Sequence, residues 1–427
     1  MSVPAACPFP GAAIDLFDEA FVANPWGLLA ELREQAPVMQ DPLTGYWLIS
    51  RHNDIRQVLM QPDVFRPDNA LTAVTEICPA ALRILASVGF HLPATLANNG
   101  YDHHPQIRSL VAKFFTPARI SRFTPAIAEL ARTAARKAGD QLAAQGQVDL
   151  VDCVTKDFPA LVLMEVLGLS DIDIAVLKVR SAASLELFWG NPDAERQVEL
   201  ARYAAQFYSW LGTRIRQADP AGDDLFGVLA AGRHADGRPL DPAEAVGIGY
   251  FLLVAGQETT SQLLATLLRR LIGSPEWWEQ VGQADEPLAR AAAVKFIEEV
   301  LRLEPPVVTW RRVVAQETTL DGHCLPAGAE VLLMLAGSGT DAQVFDHPDD
   351  FAPGRPNVRR HLAFGIGRHF CLGATLARVE AQEFVRALAR ELPPLQLLEP
   401  APPMLGLLSF RAPRRLLVAA DTDISAV

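Results

Sequence analysis

Cysteine is scarce in this chain. Five thiols (Cys7, Cys78, Cys153, Cys324 and Cys371) are scattered through 427 residues, odd in number and without a C-x-x-C pair. That pattern excludes a zinc ribbon, a thioredoxin-type motif and covalent c-type haem attachment, and it fits reduced thiols in a cytoplasmic protein. Long apolar runs are missing as well. The longest, residues 246–256, falls far short of the ~20 residues that a bilayer span needs, so no membrane anchor is expected. Residues 1–13 lack a basic segment followed by an apolar stretch, and no secretory leader is expected. An excess of positive charge is also absent. Against 50 acidic residues stand 38 basic ones, a formal charge of −12, which removes nucleic acid as an expected partner. No repeat, low-complexity tract or Gly/Ser linker divides the chain, and residues 1–427 are expected to form a single domain.

Half of the residues are apolar and 21% are charged, enough for a core that encloses a large cofactor. Alternation at 46–50 predicts a strand. Helical spacing runs through 117–169, with Gly168 near its stop, whereas 65–99 reads as loops and short helices. The clearest element starts at Asp241. It can cap a helix, Pro242 suits the first helical position, and Glu244 completes a capping box. The pattern continues to Leu271 and Ile272, where Gly273-Ser274-Pro275 ends it, a rod of roughly 45 Å. Its first half is apolar all round, which predicts a helix buried through the middle of the protein. A second helix is expected over 287–303, with Asp285 as a possible cap and Pro305-Pro306 as the stop. Extended segments follow at 307–314 and 330–335, then a Gly-rich stretch and a last helix over 372–390.

That Gly-rich stretch, Phe364-Gly365-Ile366-Gly367-Arg368-His369-Phe370-Cys371-Leu372-Gly373, carries the most chemistry. Gly365 and Gly367 let the backbone turn tightly and approach a flat ligand. Cys371 sits where a helix begins, so backbone N–H groups and the positive helix end favour a thiolate. In the long helix, Thr259 of Ala255-Gly256-Gln257-Glu258-Thr259 can bond the carbonyl of Ala255 and bend the helix. The small residues 255–256 leave room beside that bend, and Glu258 puts an acid into a buried face. Glu299 and Arg302, three apart, share a helix face and can pair.

The segment 364–373 resembles the cytochrome P-450 signature F-G-x-G-x-H-x-C-x-G at every specified position. Glu299-Val300-Leu301-Arg302 resembles the family's E-x-x-R, Arg355 its usual third partner, and residues 255–259 its A-G-x-[DE]-T. The resemblance spans the chain from Asn24-Pro25-Trp26 to Phe410-Arg411. It implies a mainly α fold with small β-sheets, heme b (iron protoporphyrin IX) and Cys371 as the axial ligand to iron. It implies that His369 bonds a haem propionate, that Ala255 belongs to the cofactor-binding set, and that Glu258 and Thr259 deliver protons to oxygen. His104-Pro105-Gln106-Ile107-Arg108 resembles the family's H-x-x-x-R, with His103 an open alternative to His104. In Trp310-Arg311-Arg312, counting back from Gly322 favours Arg312 as a propionate partner, and strand alternation points Arg311 the other way. The implied activity is a monooxygenase that uses O2 on a hydrophobic small molecule, with electrons from a ferredoxin and a ferredoxin reductase. The basic run Arg359, Arg360, His361 and Arg368 is expected to dock that ferredoxin. Oxidative coupling or ring closure, peroxide-driven turnover and a non-catalytic haem sensor stay open on the same scaffold. Segments 68–99 and 406–409, with Val254, Ala255, Val307, Val308 and Thr309, are expected to line the pocket. One departure is Gly339-Thr340-Asp341, where many bacterial relatives carry Asn-Arg-Asp.

Overall fold

Asp241 begins the helix that organises the molecule. In the computed structural model, which describes residues 14–421 and therefore not Cys7, that helix runs Pro242–Ile272 over 31 residues. Its capping box is formed as expected. Asp241 accepts the N–H of Ala243 at 3.2 Å, and Glu244 accepts the N–H of Asp241 at 2.8 Å. Its middle is buried on every side except a stripe at Phe251, Ala255, Gly256 and Thr259. Those positions fall one helical turn apart, so they share a single face, and that face looks into a cavity.

Around this rod pack the helices Phe158–Leu167, Ile174–Trp189, Ala194–Gln217, Glu286–Leu303 and Ala374–Glu391. The chain is mainly α with small sheets, as expected. The second helix begins on Asp285, whose side chain accepts from the N–H of Leu288. Residues 117–169, which read as one periodic stretch, are two helices. The first, Pro117–Gln145, ends on Gly146 in the left-handed region (φ 73°). A short strand and a π-turn intervene before Phe158–Leu167, which Gly168 closes (φ 73°) as expected. The helices Ile174–Trp189 and Ala194–Gln217 fill a stretch to which no element is assigned from the sequence. The apolar stripe of the first is interrupted by Lys178, Ser181 and Ser184, all buried, which blurs its period.

The larger sheet has five strands in the order Val38–Gln40, Trp47–Ile49, Glu330–Leu333, Trp310–Val314, Phe65–Arg66. Strand Trp310–Val314 runs antiparallel to Glu330–Leu333, with Arg312 opposite Val331. The alternation decides between the two arginines. Arg311 turns away and donates to the carbonyls of Ala70 and Thr72, while Arg312 lines the cavity.

The Glu299–Arg302 pair is fully buried and bidentate, at 3.0 and 2.7 Å. Arg302 also donates to the carbonyls of Gly339, Pro348 and Asp350, and Glu299 accepts from the N–H of Ala352. Arg355 approaches Glu299 at 3.5 Å. Every charge is thus compensated, the condition under which a buried ion pair is tolerated. Gly339 is explained by the same knot, because a Cβ there would lie 1.8 Å from the Arg302 carbonyl oxygen. Asp341, next to it, accepts from the N–H of His52 at 2.9 Å.

Candidate active site

The cavity, roughly 270 Å³, lies between the long helix and the loop that carries Cys371. Gly365 and Gly367 both take positive φ (65° and 76°), the conformation that frees this loop to fold back on itself. The N–H of Cys371 donates to the Phe364 carbonyl at 2.9 Å, which closes the turn. A Cβ at Gly365 or Gly373 would meet nothing within 4 Å, so open space lies over the cysteine. Gly256 has a different reason than the one expected. Its missing Cβ would meet the Leu163 side chain at 3.0 Å, so its smallness serves close helix packing as well as the cavity.

Cys371 lies deep in the protein yet is exposed on the cavity wall. Burial pushes its thiol pKa up, against the backbone N–H groups of Gly373 and Ala374 and the charges of Arg108 and Arg378. The backbone N–H groups act in the expected direction, and burial outweighs them. A metal cation bound by this sulfur would take the place of its proton.

His104, Arg108, Arg312 and His369 all line the same cavity. The rings of His104 and His369 sit 4.3 Å apart, and Arg108 donates to the Phe370 carbonyl at 2.6 Å. His103 stacks on Tyr101 instead, outside the lining, so of the two histidines it is His104 that faces the cavity. Burial and the charge of Arg108 hold His104 down at about 4. Burial, His104 and Arg312 hold His369 at about 3, and burial alone lowers Arg312 to about 10. Among the described residues His104 Nδ1 and His369 Nε2 are buried without a hydrogen-bond partner. No carboxylate perturbs any of the four. Four donors, His104 and Arg312 buried and Arg108 and His369 half-buried, with no acid among them fit a cofactor that brings its own carboxylates, and the open slot beside Cys371 fits a flat ring. Haem meets both requirements.

On the opposite wall the Thr259 hydroxyl donates to the Ala255 carbonyl at 2.9 Å, as expected from the sequence. Glu258 is not free. Lys178, from helix Ile174–Trp189, places its ammonium 2.8 Å from the Glu258 carboxylate and 2.6 Å from the Gln257 side-chain oxygen. Both ends of this ion pair are buried. The signal for Lys178 was a charge at a position spaced like Ile174, Ser181 and Leu185 on the inward face of that helix. Val308 and Thr309 are absent from the lining; the Thr309 hydroxyl donates to the Leu408 carbonyl. Phe410 takes the place expected of 406–409, and Phe188 and Trp189 add a wall that was not anticipated.

Two further acids anchor or border the site. Burial alone would raise Glu298, but hydrogen bonds from His361 and Arg378 more than offset it and hold it at about 2. Arg378 also lies over the Phe364 ring, so Glu298 braces the Cys371 loop. Glu380 lines the cavity from the last helix, fully buried, with no partner for either carboxyl oxygen among the described residues. Burial raises its pKa well above the usual carboxylate range. A native state that keeps a proton shed by the unfolded chain loses stability as pH climbs above the unfolded value of ~4.3. The loss, up to about 1.4 kcal/mol per pH unit, continues until the folded pKa is reached. Glu380→Gln carries no such proton. Its melting temperature should therefore gain on the parent's as the pH rises above 5, measured on the haem-loaded proteins. A gap that stays constant with pH would show that Glu380 ionises freely.

Comparisons with known proteins agree with this geometry. The cytochrome P-450 family profile matches residues 224–392. Erythromycin C-12 hydroxylase of Saccharopolyspora erythraea is 33% identical over 356 residues, covering 82% of this chain and 83% of its own. The cytochrome P-450 monooxygenase PikC of Streptomyces venezuelae is 33% identical over 385 residues, covering 88% and 86%. Among solved structures, the Acinetobacter radioresistens CYP116B5 heme domain superposes with a TM-score of 0.88 at 28% identity, covering 96% of this chain and 98% of that one. With such likeness over most of its length, the chain belongs to the cytochrome P-450 family of haem-iron monooxygenases.

Proposed function

We propose that the chain works as one haem-thiolate domain that inserts an oxygen atom from O2 into a hydrophobic small molecule, using heme b. The observation that supports this most is the shared cavity. Cys371 faces Thr259 across it, and four basic side chains without an acid of their own stand at its edge. Cys371 would ligate the haem iron, and His104, Arg108, Arg312 and His369 would hold the haem's carboxylates, with Ala255 beside them in the cavity wall. When bound, thiolate-ligated haem supplies the electron density that favours O–O cleavage. Thr259 has already given its hydroxyl hydrogen to Ala255, so its oxygen accepts from a donor in the cavity, such as water. Glu258 moves protons toward Thr259 whenever its carboxylate is released from Lys178. The apolar, aromatic lining excludes bulk water and selects an apolar substrate. Haem-loaded protein supplied with O2, a ferredoxin and its reductase should convert substrate, and hydrogen peroxide alone should not. Turnover on peroxide alone would overturn the reading.

Electrons reach the site from a ferredoxin and ferredoxin reductase. The expected docking patch shrinks in the structure. His361 is buried against Glu298, and Arg368 pairs with Asp63 at 3.0 Å, which leaves Arg359 and Arg360 exposed. These two are the cationic contact for an acidic ferredoxin. Exposed charges are screened beyond ~8 Å at physiological ionic strength. Reduction should therefore slow with added salt, and Arg359→Glu with Arg360→Glu should slow it at low salt. A rate indifferent to both changes would exclude this face.

A further inference from the structure

Most of the substrate half of the cavity is aromatic or aliphatic, but Ser184 and Tyr250 stand in its lining as a hydroxyl pair. Ser184 belongs to helix Ile174–Trp189 and Tyr250 to the long helix; both are buried. The Tyr250 ring is fixed by Phe90, edge-on at 5.6 Å, and by Phe207 at 4.8 Å, so the hydroxyl is held in place before any ligand arrives.

The direction of hydrogen bonding in this pair is determined by counting protons. The Ser184 oxygen lies 2.7 Å from the Arg180 carbonyl oxygen and 2.5 Å from the Tyr250 oxygen. Two oxygens this close repel unless a hydrogen lies between them. Serine has one hydrogen, and the carbonyl has none to give, so Ser184 donates to Arg180. The hydrogen between Ser184 and Tyr250 must then come from tyrosine. Tyr250 has spent its only donor, and no other bond reaches its oxygen among the described residues. What remains is an acceptor in an apolar enclosure. A cation would be a poor match, because burying it without a counter-charge is costly, Glu258 is already paired with Lys178, and burial disfavours a charge on Glu380.

We infer that the Tyr250 oxygen is a specificity-determining acceptor and that the substrate is an elongated apolar molecule with a neutral hydrogen-bond donor, a hydroxyl or N–H, at the end remote from oxidation. Tyr250 precedes Thr259 by nine residues, about 14 Å along the helix, and that span sets the separation between the donor and the oxidised carbon. The inference rests on the apolar-substrate reading above.

Equilibrium dialysis of haem-loaded protein with naphthalene, 2-naphthol and 2-methoxynaphthalene tests it. 2-Naphthol should bind roughly three- to tenfold more tightly than 2-methoxynaphthalene, the range of one net hydrogen bond. Tyr250→Phe should erase that preference and leave naphthalene binding unchanged. Ser184→Ala should release the tyrosine hydrogen toward the cavity, so that 2-methoxynaphthalene gains and the preference narrows. If naphthalene binds but 2-naphthol is not preferred, or the preference survives Tyr250→Phe, the acceptor role is wrong. If naphthalene itself does not bind, the apolar-substrate reading fails and takes this inference with it.

Discussion

Cys371→Ser should abolish the thiolate-type optical spectrum of the reduced carbon monoxide complex and all monooxygenase turnover. A serine hydroxyl cannot donate charge to iron as sulfur does. The geometry sharpens the contrast with the other thiols. Cys153 is buried elsewhere in the core and Cys324 lies exposed on a short hairpin; neither lines the cavity, and nor does Cys78. Serine at Cys7, Cys78, Cys153 or Cys324 should leave the spectrum intact. Because burial holds the Cys371 thiol up, an iron ligated there would have to displace its proton. Haem loading of the parent should therefore weaken as the pH falls. Loss of the spectrum in one of the other four serine variants, with Cys371→Ser unaffected, would overturn the assignment.

The second large effect is expected at the opposite wall. Thr259→Ala removes the oxygen that accepts from a cavity donor, and with it the order of the proton supply. The variant should still load haem, bind substrate and consume reductant, but release mainly hydrogen peroxide. Glu258→Gln removes the acid and should slow reductant use and product formation together. General acid–base delivery of this kind is typically worth about 10²–10⁴-fold. The buried ion pair predicts a further asymmetry. Glu258→Gln leaves the Lys178 ammonium without its carboxylate, so this variant should also lose thermal stability, as broken buried pairs do. Thr259→Ala should not. Reductant, peroxide and product must be measured together. Product as tightly coupled to reductant in Thr259→Ala as in the parent would show that Thr259 does not organise oxygen activation.

The readable part of this site is the part encoded by neighbours in the chain. Thr259 bonds Ala255 four residues back, Arg302 meets Glu299 three residues back, and Asp241 caps its own helix. The positive-φ glycines and Cys371 fall within one ten-residue loop. Lys178 was not readable as a partner of Glu258, 80 residues away, and the Arg378 bond to Glu298 also spans 80 residues. The basic run at 359–368 misled for the same reason. Adjacent in sequence, its members face different ways, His361 inward to Glu298 and Arg368 to Asp63.

By itself, then, the sequence determined the family, the thiol that faces the cavity, the long buried helix and the Glu258–Thr259 pair. Each rests on backbone geometry within a few residues, where spacing and side-chain type leave few alternatives. Only the tertiary structure decided which of two neighbouring histidines faces the cavity. It alone locked Glu258 to Lys178, left Glu380 buried without a partner among the described residues, and set the Tyr250 hydroxyl against Ser184. Those outcomes depend on burial and on partners brought together by packing between helices. Desolvation and long-range pairing set the charge and the hydrogen-bond direction of such groups, and neither is written in local spacing.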